Sequence, residues 1–192
     1  SQAIVNHWGI RLTTVLTDLS GYWILLVSSL LAGALLLEAP ALDLAQLVTV
    51  NNFSGLPHNQ PVWPATESIG WLLALGLLLP AYTITGFDAS AHAAEETISA
   101  SEHVPRGIVR SVLVSGVFGW IMLAAVIVAM PNPQRAAAEG EGAFLWTLRS
   151  VLSPRLTAWL CGGIVVAQFL CGLATVTSAS RMAYAFARDR GL

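Results

Sequence analysis

One short stretch of this sequence combines aromatic, hydroxyl and glycine residues in a way that suits ligand binding. It runs from Tyr82 to Asp88 and contains Thr83, Ile84, Thr85 and Gly86. Pro80 cannot donate a main-chain hydrogen bond and Gly86 relaxes the backbone, so a helix passing through this stretch is expected to break. The freed N–H and C=O groups, together with the dipoles of two half-helices, can hold a carboxylate or an ammonium group. The stretch therefore predicts a site for a small charged molecule.

The stretch ends in a carboxylate, Asp88, which lies four residues before His92, and His92 lies four residues before Glu96. All three could share one helical face, which raises the alternative of a metal site. The spacing matches neither the Glu-x-x-His pairs of carboxylate bundles nor the His-Glu-x-x-His of zinc proteases. We therefore predict no metal and no other cofactor, and a histidine that is packed or water-facing.

The elements that must position these residues are apolar and long. The sequence is 55% hydrophobic and only 10% charged, with a mean hydropathy of +0.68. Four stretches, 19–37, 68–87, 111–134 and 156–180, contain no Asp, Glu, Lys or Arg. A helix that crosses a bilayer needs about 20 such residues. A water-soluble protein would need long helices that are apolar on every face, so we predict an all-α integral membrane segment.

The predicted elements form a single membrane segment over residues 1–192. Its spans are expected at 12–37, 68–98, 105–130 and 156–187, and the second span is expected to be broken. An amphipathic helix is predicted at 142–152, lying over the outer surface, because apolar residues recur there at helical spacing. These residues are Phe144, Leu145, Leu148, Val151 and Leu152. The alternative for this helix is a lid that only packs.

Charge limits the partners and orients the segment. The net charge is −2 and lysine is absent, so neither nucleic acid nor a polybasic contact with lipid is predicted. If the first span runs outward, most arginines lie on the cytoplasmic side, as membrane proteins prefer. That side would hold Arg11, Arg106, Arg110, Arg181, Arg188 and Arg190, and the outer side Arg135, Arg149 and Arg155.

Two ordered motifs resemble amino-acid permeases. Residues 86–92 (GFDASAH), 95–97 (EET) and 105–108 (PRGI) resemble the sixth helix and the following loop of those proteins, and residues 178–191 (SASRMAYAFARDRG) resemble the end of their eighth helix. The similarity is to the amino-acid and choline permeases of the amino acid-polyamine-organocation superfamily. It covers the whole chain as helices five to eight.

The resemblance implies part of a LeuT-like fold of two inverted five-helix repeats. Substrate would lie between the broken first and sixth helices, with the residues from Tyr82 to Gly86 on the sixth and an aromatic side chain, that of Tyr82, covering it. The alternative is that Tyr82 is an ordinary packing residue. The glycine-rich first helix, and the third and tenth that line the pathway, would come from the rest of a full-length permease, so the segment is not expected to transport alone.

The resemblance also suggests residues for gating and coupling. Asp88 would begin the second half-helix, either capping its N–H groups or taking part in proton-linked gating. Glu95 and Glu96 could pair with Arg106, Arg110 or Arg181 as an inner latch, or could simply be solvated. Thr175, Thr177 and Ser178 stand where sodium-coupled relatives offer hydroxyls to an ion, although such hydroxyls also bond to their own helix.

The predicted function is therefore secondary active transport of an amino acid, an amine or a choline-like molecule by alternating access, with proton coupling. The segment would lie in the plasma membrane as a multi-pass, non-enzymatic protein, with the bilayer and the missing helices as its partners. Two alternatives remain: a structural, non-transporting part of a permease, or an intramembrane metal-dependent enzyme that uses Asp88, His92 and Glu96.

Overall fold

The computed structural model describes residues 10–56, 65–92, 94 and 97–188. All regular elements in these ranges are helices. They are α1 (Ile10–Glu38), a 3-10 turn (Leu44–Leu47), α2 (Ile69–Gly76), α3 (Leu78–Thr83), α4 (Ala89–His92), α5 (Ala100–Ala129), α6 (Pro133–Ala138), a second 3-10 turn (Gly140–Gly142), α7 (Ala143–Val151) and α8 (Pro154–Arg188).

Three of these helices are long and apolar enough to cross a membrane. They are the part of α1 over Val15–Glu38, with 24 residues, α5 with 30 residues and α8 with 35 residues. Their most apolar windows have mean hydropathies of 1.9, 2.5 and 1.9, and less than a third of each window is buried within the chain. Lipid or other protein must therefore cover most of their apolar surface. Ile69–Thr83 forms a shorter apolar helical stretch.

Helix α5 begins at Ala100, ahead of the predicted start at residue 105, and includes Pro105. The main-chain oxygen of Ser99 accepts hydrogen bonds from the N–H groups of Glu102 and His103, at 3.0 and 3.1 Å, which starts the helix before the proline. Pro105 lacks the N–H that would bond to the main-chain oxygen of Ser101, so one hydrogen bond near the start of α5 is missing. The helix nevertheless continues through Pro105, and the boundary of the span stays a prediction.

The chain divides into two compact units. The first comprises Ser1–Val27, Ile84–Gly116 and Gly162–Leu192, and the second comprises Ser28–Thr83 and Val117–Cys161. In the first unit, the indole Nε1–H of Trp23 on α1 donates to the main-chain oxygen of Gly163 on α8 at 3.0 Å. A Cβ added at Gly163 would lie 3.1 Å from a methyl group of Val27, so α1 and α8 are closely packed there.

The second unit has a hydrophobic core to which several helices contribute. Its buried residues are Leu31, Leu35, Ala129, Leu148, Leu152 and Leu160. Helix α7 packs into this core through Leu148, which is fully buried, and Thr147 is buried beside it. Phe144 and Leu145, which the sequence pattern places on the same apolar face, remain 37% and 42% exposed. Only part of the apolar face that the sequence pattern predicts for α7 is therefore packed against the core.

A hydrogen-bonded turn joins the loop after α1 to the end of α5 within the second unit. The N–H of Asp43 donates to the main-chain oxygen of Val128 at 3.0 Å, and the side chain of Gln46 donates to that of Met130 at 3.3 Å. A carboxylate oxygen of Asp43 accepts from the N–H of Ala45 at 3.0 Å and caps the 3-10 turn. This segment of the loop is thus an ordered cap on α5.

Candidate functional site

The predicted break in the second span is present. Helix α3 ends at Thr83, and α4 begins at Ala89, so regular helical bonding is interrupted over residues 84–88. Gly86 has a φ of +85°, a left-handed conformation that L side chains rarely adopt. A Cβ added to Gly86 would meet no atom within 4 Å, so crowding by neighbouring atoms does not require a glycine at this position. The left-handed backbone conformation is what requires it.

A second, smaller irregularity lies about two turns before the break. Helices α2 and α3 are separated at Leu77, although the N–H of Leu77 still bonds to Leu73 and that of Ala81 to Leu77, at 3.1 and 3.0 Å. Pro80 cannot supply the N–H that would bond to Gly76, which accounts for the separation. The sequence predicted one break in this span, so the irregularity at Leu77 is an additional finding of the structure.

The five predicted binding residues differ in their surroundings. Tyr82 is 77% exposed within the described chain, and Thr85 and Gly86 are also exposed. Thr83 and Ile84 are half-buried. The hydroxyl of Thr83 donates to the main-chain oxygen of Leu79 at 3.0 Å, which fixes its χ1 rotamer. Because α3 ends at Thr83, the C-terminal end of this short helix lies at the start of the break.

Asp88 directly precedes Ala89, the first residue of α4. Its main-chain oxygen accepts a hydrogen bond from the N–H of Ala91 at 2.8 Å, and that of Gly86 accepts one from Ala89 at 3.1 Å. A carboxylate in this position is favoured by the positive end of the half-helix dipole. Its side chain is exposed within the described chain.

The other proposed gating residues are only partly described. Glu95 and Glu96 lie outside the described residues. Arg181 lies on α8 and is half-buried. Arg106, one possible partner for the two glutamates, forms an ion pair with Glu102 at 2.8 Å on the exposed surface of α5.

The hydroxyl residues on α8 bond to their own helix. Thr175 donates to the main-chain oxygen of Cys171 at 3.0 Å, and Thr177 donates to that of Leu173 at 2.9 Å. Ser178 is half-buried. Bonds of this kind, from a hydroxyl to its own helix, are the alternative to an ion site that the sequence left open.

Within the described residues, no cluster of three or more His, Cys, Asp or Glu side chains is arranged to hold a metal ion. The trio of Asp88, His92 and Glu96 cannot be tested there, because the side chain of His92 and the whole of Glu96 lie outside the described part of the chain.

Sequence reasoning missed one residue beside the candidate site. Gly119 on α5 is buried, and a Cβ added to it would lie only 2.5 Å from the methyl carbon of Thr83. Glycine inside a helix costs about 1 kcal/mol relative to alanine, so its presence can signal a close approach. A glycine in this helix does not by itself identify such an approach, because a Cβ added to Gly116, about one turn earlier, would meet no atom within 4 Å.

Comparison with known proteins identifies one family over the whole length. The amino acid permease family matches residues 1–192. Amino-acid permease BAT1 of Arabidopsis thaliana is 38% identical over 131 residues, which are 64% of this chain and 25% of that protein. Its homolog in Oryza sativa subsp. japonica is 39% identical over 128 residues, covering 62% and 25%. The GABA-specific permease of Saccharomyces cerevisiae is 29% identical over 126 residues, covering 64% and 22%.

The matched segment thus spans about a quarter of the length of these curated relatives. No solved structure matches the chain significantly.

Proposed function

Because this chain belongs to the amino acid permease family, we propose that it forms part of the substrate site of a secondary active transporter. The cargo is an amino acid or a related amine, and it crosses by alternating access. The chain is a multi-pass membrane protein segment, and the part that the structure describes has three membrane-length helices and one broken apolar span. Its role requires no chemical step, so we propose no enzymatic activity.

The observation that carries this proposal is the break at residues 84–88, with its left-handed Gly86. Irregular backbone at membrane depth is tolerated only where protein or a water-filled cavity satisfies its polar groups. Transporters use such breaks to hold charged substrates with main-chain atoms and half-helix dipoles near the bilayer centre. In this chain, the C-terminal end of α3 would attract the ammonium group of a zwitterion, because the C-terminal end of a helix carries partial negative charge.

The binding residues that we propose are Tyr82, Thr83, Ile84, Thr85 and Gly86. Tyr82 would stack on the ammonium group, an interaction worth about 0.5 to 2 kcal/mol. The substrate carboxylate would be held by helices that this chain does not contain. Those helices, together with the bilayer, are the proposed partners of the segment, and the plasma membrane is its proposed location.

Proton coupling is the proposed source of energy, with Asp88 as the proton-linked group and Glu95, Glu96 and Arg181 as an inner latch. A carboxylate in an apolar span is costly, and this cost supports a functional role for Asp88. Thr175, Thr177 and Ser178 are the proposed ion ligands if the coupling ion is Na⁺ instead. The names of the relatives, amino-acid permeases and a GABA-specific permease, support a substrate that carries an amine.

The test is uptake into proteoliposomes that contain the complete permease to which this segment belongs. An inward proton gradient should drive accumulation of one or more labelled amino acids, GABA, polyamines or choline, and a protonophore should abolish it. Replacing the proton gradient by a Na⁺ gradient distinguishes the two coupling ions. Absence of uptake for every candidate under both gradients would refute the transport function.

A further inference from the structure

A contact between two helices of the second unit lies directly beside the proposed substrate site. Gly119 is a buried residue near the middle of α5, and Thr83 is the last residue of α3. A Cβ added to Gly119 would lie 2.5 Å from Cγ2 of Thr83 and 3.6 Å from its Cβ. Real Cβ atoms essentially never approach another heavy atom so closely. This contact therefore requires a residue without a side chain at position 119.

Thr83 cannot easily move away from such an added atom. Its hydroxyl donates to the main-chain oxygen of Leu79 at 3.0 Å, and this bond directs its methyl group toward Gly119. Threonine is branched at Cβ, so rotating its methyl group also displaces its hydroxyl. The bond within α3 therefore holds the Thr83 side chain in one rotamer, and the contact of its methyl group with α5 opposes rotation of the last turn of α3 about its axis.

We propose that Gly119 is a positioning residue for the substrate site. Its missing side chain lets the methyl group of Thr83 sit against α5, and this contact sets the rotation of the helix end that carries Tyr82 and the terminal C=O groups. Gly119 itself does not touch the substrate. The inference rests on the proposed function, because the helix end that Gly119 positions belongs to the proposed substrate site.

The contact predicts a specific coupling between two substitutions. Gly119→Ala should raise the KM for the transported substrate about tenfold, because a methyl group forced into a packed contact displaces its neighbours. Thr83→Ser removes the opposing methyl group but keeps the hydroxyl that bonds to Leu79. In a protein that already carries Thr83→Ser, adding Gly119→Ala should change the KM less than about twofold. Gly116→Ala is the matched control, since its Cβ would meet no atom within 4 Å.

The experiment measures KM, maximal rate and melting temperature for the complete permease and the four variants. Rescue of both KM and melting temperature by Thr83→Ser would support the positioning role. If Gly119→Ala lowers the melting temperature without changing the KM, and Thr83→Ser restores the melting temperature, the contact is purely structural. That result would overturn the inference but not the proposed transport function. A loss in Gly119→Ala that Thr83→Ser does not relieve would also overturn it. Absence of uptake by the unmodified protein would instead refute the proposed function.

Discussion

Gly86 shows how one residue determines a local backbone path. Its φ of +85° lies in a region open to glycine and, to a lesser extent, to asparagine, whereas alanine and β-branched residues are strained there. Because a Cβ would meet no atom within 4 Å, any effect of substitution must come from backbone strain and not from a clash. The sequence indicated the break at this position because glycine and proline act locally, through their own backbones.

We predict that Gly86→Ala destabilises the break by about 1 to 2 kcal/mol. Uptake should fall in the order Gly, Asn, Ala, Val at this position, since tolerance of positive φ falls in that order. Gly70→Ala on α2 is the control, because glycine there is helical and its Cβ would also meet no atom within 4 Å. Equal uptake by the Asn, Ala and Val variants would contradict the role of the left-handed backbone.

The elements of this chain were predictable to different degrees. Length and apolarity indicated the helices, because a bilayer imposes both, and Pro80 and Gly86 indicated the break. Helix α5 begins at Ala100, five residues before the span expected at 105–130, and the extent of that span in the membrane stays a prediction. Two features could not be predicted from the sequence: which apolar residues of α7 are buried, and the close approach of Thr83 to Gly119. Each depends on which neighbouring helix packs at that position.

The hydrogen bond between Trp23 on α1 and Gly163 on α8 gives a prediction about the packing of these two helices. Trp23→Phe should lower the melting temperature of the detergent-solubilised permease, since it removes the hydrogen bond to Gly163 between α1 and α8, worth about 1 kcal/mol. Trp159→Phe on α8 should have little effect, because Trp159 is 81% exposed within the described chain. Equal shifts for the two variants would show that the bond does not stabilise the helix pair.

At the scale of the whole molecule, the chain presents much uncovered apolar surface. Residues such as Tyr82, Trp120 and Trp159 are 77%, 68% and 81% exposed within the described chain. The segment matches about a quarter of the length of its relatives, so we propose that the remaining helices of a permease cover part of this surface. The first repeat would then supply the half of the substrate site that faces residues 82–86.

The proposed inner latch makes a prediction at the same scale. Reversing one charge, by Glu96→Arg or Arg181→Glu, should reduce uptake, and combining the two should restore it, because the opposite charges are then paired again. The control is the same exchange at Glu102 and Arg106, an exposed pair on one helix that should contribute little. A double exchange of Glu96 and Arg181 that remains as inactive as the single variants would count against the latch.

The most direct test of the central claim is protection of residue 85 by substrate. Thr85→Cys is placed in a complete permease in which Cys161 and Cys171 are replaced by alanine, and its rate of modification by a water-soluble thiol reagent is measured. We predict that a saturating transported amino acid slows this modification severalfold and leaves Thr49→Cys, in the loop after α1, unaffected. Modification of Thr85→Cys at the same rate with and without substrate would contradict a binding site at the break.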